Sequence, residues 1–573
     1  MRYRQKFCAL AALLVLAALP APAAPLRPSH APHAMVASVH ELASRAGVEM
    51  MQAGGNAVDA AVATAFALAV VYPRAGNLGG GGFLLFRSAA GDAHFLDFRE
   101  KAPAAASANM YLDAQGYPIK DLSVIGYKAI AVPGSVAGLA FAEKKYGKLP
   151  LEKVMAPAIR LARDGFALAY EDTHDLGDED LARFPASSHI FQRDGNLFKP
   201  GEILRQPELA RTLERIAKDP DDFYHGALAR ELAAAVQKGG GLVTAADLAA
   251  YEVKEREPVP GSYRGYDILS APPPSSGGVT LIESLNILEA FDLAKLGNRT
   301  AAGMHLIAEA FRRAFYDRAD FMADPDFSSV PVPQLIDKKY AAAWRTSLDP
   351  DHASPSGSLK RPSFGELERV AQARAVAARE PDYTTHFSVV DADGNAVAVT
   401  TTLNDSFGSR VTAEGLGFLL NDEMDDFTVK PGSANLYGLV QSPANAIQPG
   451  KRPLSAMAPT IITRGGKPFL VLGARGGPTI ISTVANILIG VVDFGLDIQE
   501  AVNAPRFHQQ WLPDEILVED RISPDTIKLL RLKGHKVRVD RFFGGAECVM
   551  VDPKSGERLG ASDGRENGKA VGY

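Results

Sequence analysis

Two runs rich in β-branched residues, Thr384 to Val390 and Ala396 to Thr402, flank Asp393-Gly394. An Asp-Gly pair between such runs is a strong hairpin signal, because glycine enters the left-handed region of a tight turn at little cost. The chain is therefore expected to hold two paired antiparallel strands here. If Ala392-Asp393-Gly394 form a three-residue loop, facing residues have numbers that sum to 786, which sets Thr384 opposite Thr402 and gathers hydroxyls at the open end of the hairpin. A two-residue Asp393-Gly394 loop slips the pairing by one and turns Thr402 to the other sheet face. Taken alone, threonine-rich strands reflect β-propensity as readily as chemistry.

The first residues bear on compartment. Arg2, Arg4 and Lys6 precede an apolar run from Phe7 to Leu19 and then Pro20-Ala21-Pro22-Ala23-Ala24. This pattern reads as a secretory signal peptide, residues 1–23, cut after Ala23, since its apolar part is too short to span a bilayer. No later stretch spans one either, so a periplasmic or secreted protein is expected. Cys8 leaves with the signal and Cys548 stands alone, which rules out an intrachain disulfide and leaves stability to the core. A chain of 573 residues, 46 % of them hydrophobic, can build a large core. The net charge of −6 is spread without long runs of one sign, and no basic block interleaves with aromatics, so nucleic acid is excluded as a partner. His30, His33 and His40 lie in a Pro/Ala-rich stretch that reads as a solvated tail, and no zinc spacing occurs, so no metal and no cofactor are expected.

Further along, Ser44 to Met51 and Asn56 to Val71 carry helical patterns, with Asn56 as the N-cap of the second. That second helix is apolar on almost every side and is expected to be buried. Gly79-Gly80-Gly81-Gly82 follows a helix and opens a strand, the reverse of a phosphate-binding turn, so close approach of another backbone or a substrate explains it better. Pro272-Pro273-Pro274-Ser275-Ser276 reads as a stiff connector whose serines serve turns and caps. Thr346 to Asp382, rich in Pro, Ser and charge, reads as a mobile segment. Gly473 to Thr479 joins the strand Phe469–Leu472 to an apolar helix, Ile480 to Val492. Its Gly476-Gly477 pair can point two amides at a developing negative oxygen near the helix start, although, taken alone, an ordinary strand-to-helix turn is the better explanation of the glycines. Gly560-Ala561-Ser562-Asp563-Gly564 matches the nucleophile elbow of a serine esterase, but only nine residues follow Gly564 (573 − 564) and none is histidine.

Thr384-Thr385-His386, Gly394-Asn395, Val397, Val399, Thr400, Thr402-Leu403-Asn404 and Phe407-Gly408 together resemble the small-subunit signature of the gamma-glutamyltransferase family. Arg99-Glu100-Lys101-Ala102-Pro103 resembles its large-subunit motif, and similar blocks run through nearly the whole chain after residue 24. The resemblance implies an N-terminal-nucleophile hydrolase, an α+β protein built as a four-layer αββα sandwich. Its precursor cuts itself between Tyr383 and Thr384, leaving a large subunit, 24–383, and a small catalytic subunit, 384–573, as a heterodimer in one fold. Cleavage creates a base, since the new α-amine, with a reference pKa of about 7.7 to 8.0, can activate a hydroxyl that is otherwise a weak nucleophile.

On this resemblance Thr384 is the nucleophile, with Thr402 beside it and Gly476 and Gly477 as the oxyanion hole. Arg99 grips the substrate's α-carboxylate through its planar fork, and Asp426, assisted by Asn404 and Glu423, takes the α-ammonium. Ser455 stands beside the carboxylate, but Ala456 occupies the place where the family carries a second serine. Pro431 to Ser442 resembles a lid loop with Tyr437 as its gate. The implied donors are glutathione and other γ-glutamyl compounds, and the acceptors are water, amino acids or dipeptides, with no cofactor. The alternatives are a related amidase acting on glutaryl groups, as in cephalosporin acylases, and a non-catalytic binding protein that would need no internal cut.

Overall fold

The computed structural model describes residues 27–363, 384–430 and 442–573. The signal segment, Tyr383 and Tyr437 lie outside the described residues, and no helix among those described is long and apolar enough to cross a membrane.

The hairpin forms with the three-residue loop. Thr385–Val390 pairs with Ala396–Thr402 antiparallel, with Thr385 facing Thr401 and Val390 facing Ala396. Gly394 takes φ 91° at the turn, and Asp391 closes the loop by accepting from the Asn395 amide at 2.9 Å. The hairpin forms the centre of a seven-stranded sheet ordered Lys569–Gly572, Met35–Ser38, Thr385–Val390, Ala396–Thr402, Gly81–Arg87, Ala93–Phe98, Lys254–Arg256. A second, eight-stranded sheet runs Ser29–Ala31, Arg558–Ser562, Gly545–Val551, Lys467–Leu472, Thr460–Arg464, Tyr266–Ser270, Val259–Tyr263, with Ala474–Arg475 pairing at its side.

Strand alternation assigns each face of the hairpin. Phe387, Val389, Val397 and Val399 enter one apolar core with the helices Glu41–Gln52, Ala57–Val71 and Leu151–Asp164. The opposite face, with His386, Ser388, Val390 and Thr400, turns to the other sheet, whose own outer face packs on Gly277–Leu288, Ala301–Phe321 and Thr479–Val492. The result is helix, sheet, sheet, helix. The helix Ala57–Val71 is buried along its whole length behind a capping box of Asn56 and Asp59, as its all-round apolarity implies. The glycine run brings backbones together: a Cβ on Gly80 would stand 2.2 Å from the Thr402 carbonyl oxygen, and one on Gly82 2.4 Å from that of Thr400.

Three expectations are corrected. The stretch around His30 is no tail, because Ser29–Ala31 is an edge strand on Arg558–Ser562 and His40 caps the helix Glu41–Gln52 by accepting from the Leu42 amide. The part of Thr346 to Asp382 that is described is anchored: Ser356 is buried against Trp511 and Asp514, and Arg361 pairs with Asp317 and Asp320 on the helix Ala301–Phe321. Ser276 does not cap the helix that follows it; its hydroxyl donates instead to the Ser455 carbonyl at 2.7 Å.

Candidate active site

Thr384 stands at the open end of the hairpin, 4 % exposed, with its Oγ1 3.4 Å from that of Thr402. Thr402 Oγ1 also accepts from the Asn404 amide at 2.8 Å, which holds the turn after the strand. Behind the pair, on the same face, His386 Nδ1 meets Thr400 Oγ1 at 2.8 Å and Nε2 meets Ser388 Oγ at 3.0 Å. Burial pulls His386 down to about 3, so it is a neutral spacer at physiological pH. Gly473 lies flat against its ring, where a Cβ would come within 2.3 Å.

A pocket opens at Thr384 and reaches Arg99, Asp426 and Ser455. Arg99 follows directly on the strand Ala93–Phe98 and is 1 % exposed. Its Nε donates to the Pro453 carbonyl at 3.3 Å and Nη2 to the Leu454 carbonyl at 3.2 Å. Nη2 also donates to Asp426 at 2.5 Å, and Nη1 lies 2.5 Å from a Glu423 carboxylate oxygen. Glu423 and Asp426 face the same guanidinium because Glu423–Asp426 is a 3-10 turn, in which residues three apart eclipse. Burial works against the charge of Arg99, but Glu423, Asp426 and Glu100 outweigh it and hold the group above the usual arginine value. The same burial pushes Glu423 well up and Glu100 to about 7, against the pull of Arg99.

Asn404 sits at φ 80°, a region asparagine tolerates, and its side-chain amide donates to Asp422 at 3.2 Å. Ser455 Oγ accepts from the Met457 amide at 3.1 Å, which leaves its own proton to donate, and Ala456 lines the pocket beside it. Gly476 and Gly477, at φ 123° and 51°, turn the chain into the helix Thr479–Val492, and Gly477 borders the pocket. Among the described residues neither glycine amide donates to another group. Arg475, just before them, is ion-paired with Glu566.

The structure thus gathers Thr384, Thr402, Arg99, Asn404, Glu423, Asp426, Ser455 and Gly477 around one pocket, with Gly476 adjacent in the chain. Sequence reading missed Arg318, which lines the same pocket from the helix Ala301–Phe321. No sequence signal marks it, since it is one of several charges along that helix and belongs to none of the motifs singled out above. Leu454, Met457, Pro478 and Ile480 supply apolar walls.

An αββα core with a threonine at the start of a central strand is the architecture of the N-terminal-nucleophile hydrolases. The cephalosporin acylase from Bacillus halodurans has it, with a TM-score of 0.80, 28 % identity, and coverage of 97 % of this chain and 98 % of that one. Residues 43–573 match the profile of the family described as Gamma-glutamyltranspeptidase, and the chain belongs to that family. The Glutathione hydrolase proenzyme of Escherichia coli (strain K12) is 50 % identical over 536 residues, 93 % of this chain and 90 % of that protein. The protein of the same name from Pseudomonas sp. (strain A14) is 47 % identical over 553 residues, 94 % of each.

Proposed function

We propose that the protein is an exported, self-cleaving enzyme that hydrolyses and transfers γ-glutamyl groups, with glutathione as a donor. The observation that carries this reading is the juxtaposition of the Thr384 hydroxyl with a buried arginine and two acids, Arg99, Asp426 and Glu423, in one pocket. An α-amino acid presents a carboxylate and an ammonium on one carbon. A site with both counter-charges selects that pair more strongly than either charge alone.

In the proposed reaction the bond between Tyr383 and Thr384 is cut first, giving Thr384 a free α-amine. That amine takes the hydroxyl proton as Oγ1 attacks the γ-carbonyl carbon. The carbonyl oxygen becomes an oxyanion and is held by the amides of Gly476 and Gly477. The C–N bond breaks, the leaving amine takes the proton, and a γ-glutamyl ester remains on Thr384. Water or an acceptor amine then attacks that ester, and the hydroxyl is restored.

Both sheets interleave strands from the two sides of the cut: Met35–Ser38 and Gly81–Arg87 come from one side, and Thr385–Val390 and Lys569–Gly572 from the other. The large and small fragments of the proposed heterodimer therefore share one core and stay together after cleavage. The name proenzyme carried by the relatives agrees with a cut precursor. A glutaryl amidase is the second reading, favoured by the acylase likeness of the fold, but a glutaryl group brings no ammonium to Asp426.

The test is Thr384→Ala. The native protein is expected to run as two pieces, the smaller of 190 residues (573 − 384 + 1), and to release glutamate from glutathione, with γ-glutamyl-glycylglycine appearing when glycylglycine is added. The variant is expected to stay whole and inactive. Two pieces from the variant, or a native preference for a glutaryl amide over glutathione, overturns the assignment.

A further inference from the structure

The helix Ala301–Phe321 brings one more charge to the pocket than the chemistry above uses. Arg318 is 2 % exposed, and its recorded side-chain bond is from Nε to Ser276 Oγ at 2.9 Å. Other buried arginines of the same helix are matched with acids: Arg312 with Glu309 and Asp514, and Arg313 with Glu309. Among the described residues no carboxylate oxygen lies within 4.0 Å of the Arg318 guanidinium. Burial draws Arg318 down to about 10, with Asp426 the acid that opposes this, so the group is still cationic at neutral pH. A guanidinium kept charged and unpaired in the protein interior costs several kcal/mol of desolvation. A hydroxyl partner such as Ser276 does not neutralise it. An anion entering the pocket would.

The charge count around the pocket fits one kind of anion. Arg99 and Arg318 are the cations and Asp426 and Glu423 the acids, and both acids lean on Arg99. When a donor amino acid enters, its ammonium draws the acids and its carboxylate needs cationic partners. Arg318 also underlies the weak point of that subsite. Ser276 links it to the Ser455 carbonyl, the residue next to Ala456, where a hydroxyl donor is lacking.

We propose that Arg318 is a second cation of the donor subsite, sharing the substrate's α-carboxylate with Arg99 beside Ser455 and Ala456. The proposal rests on the γ-glutamyl reading above. Its test compares L-glutamate with 4-aminobutyrate, the same molecule without the α-carboxylate, as competitors of γ-glutamyl anilide turnover. Arg318→Met is expected to weaken inhibition by L-glutamate roughly ten- to a hundredfold, the worth of a charge-assisted hydrogen bond, and to leave inhibition by 4-aminobutyrate unchanged. Arg318→Lys keeps the charge and loses the fork; it is expected to weaken glutamate about tenfold, and it decides the question if the methionine variant does not fold. Ser276→Ala, which removes the tether and no charge, separates a loop-propping role, since propping would move both competitors together. Equal changes for the two competitors, or none in either Arg318 variant, overturn the proposal. A native protein that fails to turn over γ-glutamyl anilide at all instead sinks the γ-glutamyl reading, and this inference with it.

Discussion

Arg99→Lys separates charge from geometry at the centre of the pocket. In the native site Nε and Nη2 donate to the carbonyls of Pro453 and Leu454 while Nη1 and Nη2 meet Glu423 and Asp426. A lysine ammonium has three donors at one point and cannot span these four acceptors. It would stay with the two acids, where the charge is needed, and desert the carbonyls. Two hydrogen bonds from the charged guanidinium to carbonyl oxygens, at about 1.5 to 3 kcal/mol each, give roughly 3 to 6 kcal/mol of lost stability. The substrate loses more selectively. On the proposed assignment a parallel pair of bonds to its α-carboxylate becomes a single contact, worth about 1.5 to 3 kcal/mol, or ten- to a hundredfold in KM, while kcat changes little because the carboxylate is remote from the scissile bond. The assay is initial-rate kinetics with a γ-glutamyl anilide, alongside a denaturing gel to show that cleavage into two pieces continues. An unchanged KM, or a fall in kcat alone, would remove Arg99 from substrate binding and leave it a structural ion pair.

Two further variants test one group inside the pocket and one outside it. Ala456→Ser adds a donor beside Ser455 and is expected to lower KM for the γ-glutamyl anilide about tenfold; a KM that fails to fall means that Ala456 does not border the α-carboxylate. Burial and Asp59 push the Glu143 carboxyl up to about 9, so its folded pKa lies above the unfolded value of 4.5 and its contribution is intact below 4.5 and lost as pH rises toward 9. Glu143→Gln, fixed in the neutral form, is therefore expected to gain on the native protein by about 1.4 kcal/mol per pH unit across that window, read from denaturation midpoints, and a gap that stays constant from pH 5 to 8 would contradict the buried-acid assignment.

What the sequence declared clearly is what local chemistry decides. Asp393-Gly394 between two β-branched runs sets a turn, the turn sets the register, and the register puts Thr384 across from Thr402. Asn56 ahead of an all-apolar run is equally local. The glycine run was read correctly as close approach, although which backbones approach, those of Thr400 and Thr402, is a tertiary fact. The failures share one cause. Ala301–Phe321 carries His305, Glu309, Arg312, Arg313, Asp317, Arg318 and Asp320, charges to which sequence reading gave no role, yet all seven are buried. Several of their partners, Tyr340, Trp344, Arg361, Ser347, Asp514 and His535, lie 23 to 230 residues away, beyond the reach of a local sequence pattern. The strand at Ser29–Ala31 was missed for the same reason, since the edge it completes lies at Arg558–Ser562.

The pairing of Arg99 with Asp426 bears on why the site should reject half-substrates. On the proposed assignment Arg99 and Asp426 already satisfy each other, so a ligand gains at this pair only if it replaces both sides of it. A zwitterion does so, exchanging one internal ion pair for two external ones. A glutaryl group offers a carboxylate to Arg99 and leaves Asp426 facing a methylene, and an amine without the carboxylate draws Asp426 away and leaves Arg99 to Glu423 and Glu100 alone. Stripping one partner from a buried pair costs about 3 to 5 kcal/mol. Asp426 is 13 % exposed in its side chain against 1 % for Arg99, so water softens the penalty on the acid more than on the guanidinium. Losing the carboxylate should then hurt a donor more than losing the ammonium. The same asymmetry gives a second buried cation its use: Arg318, 2 % exposed, is screened by solvent as little as Arg99.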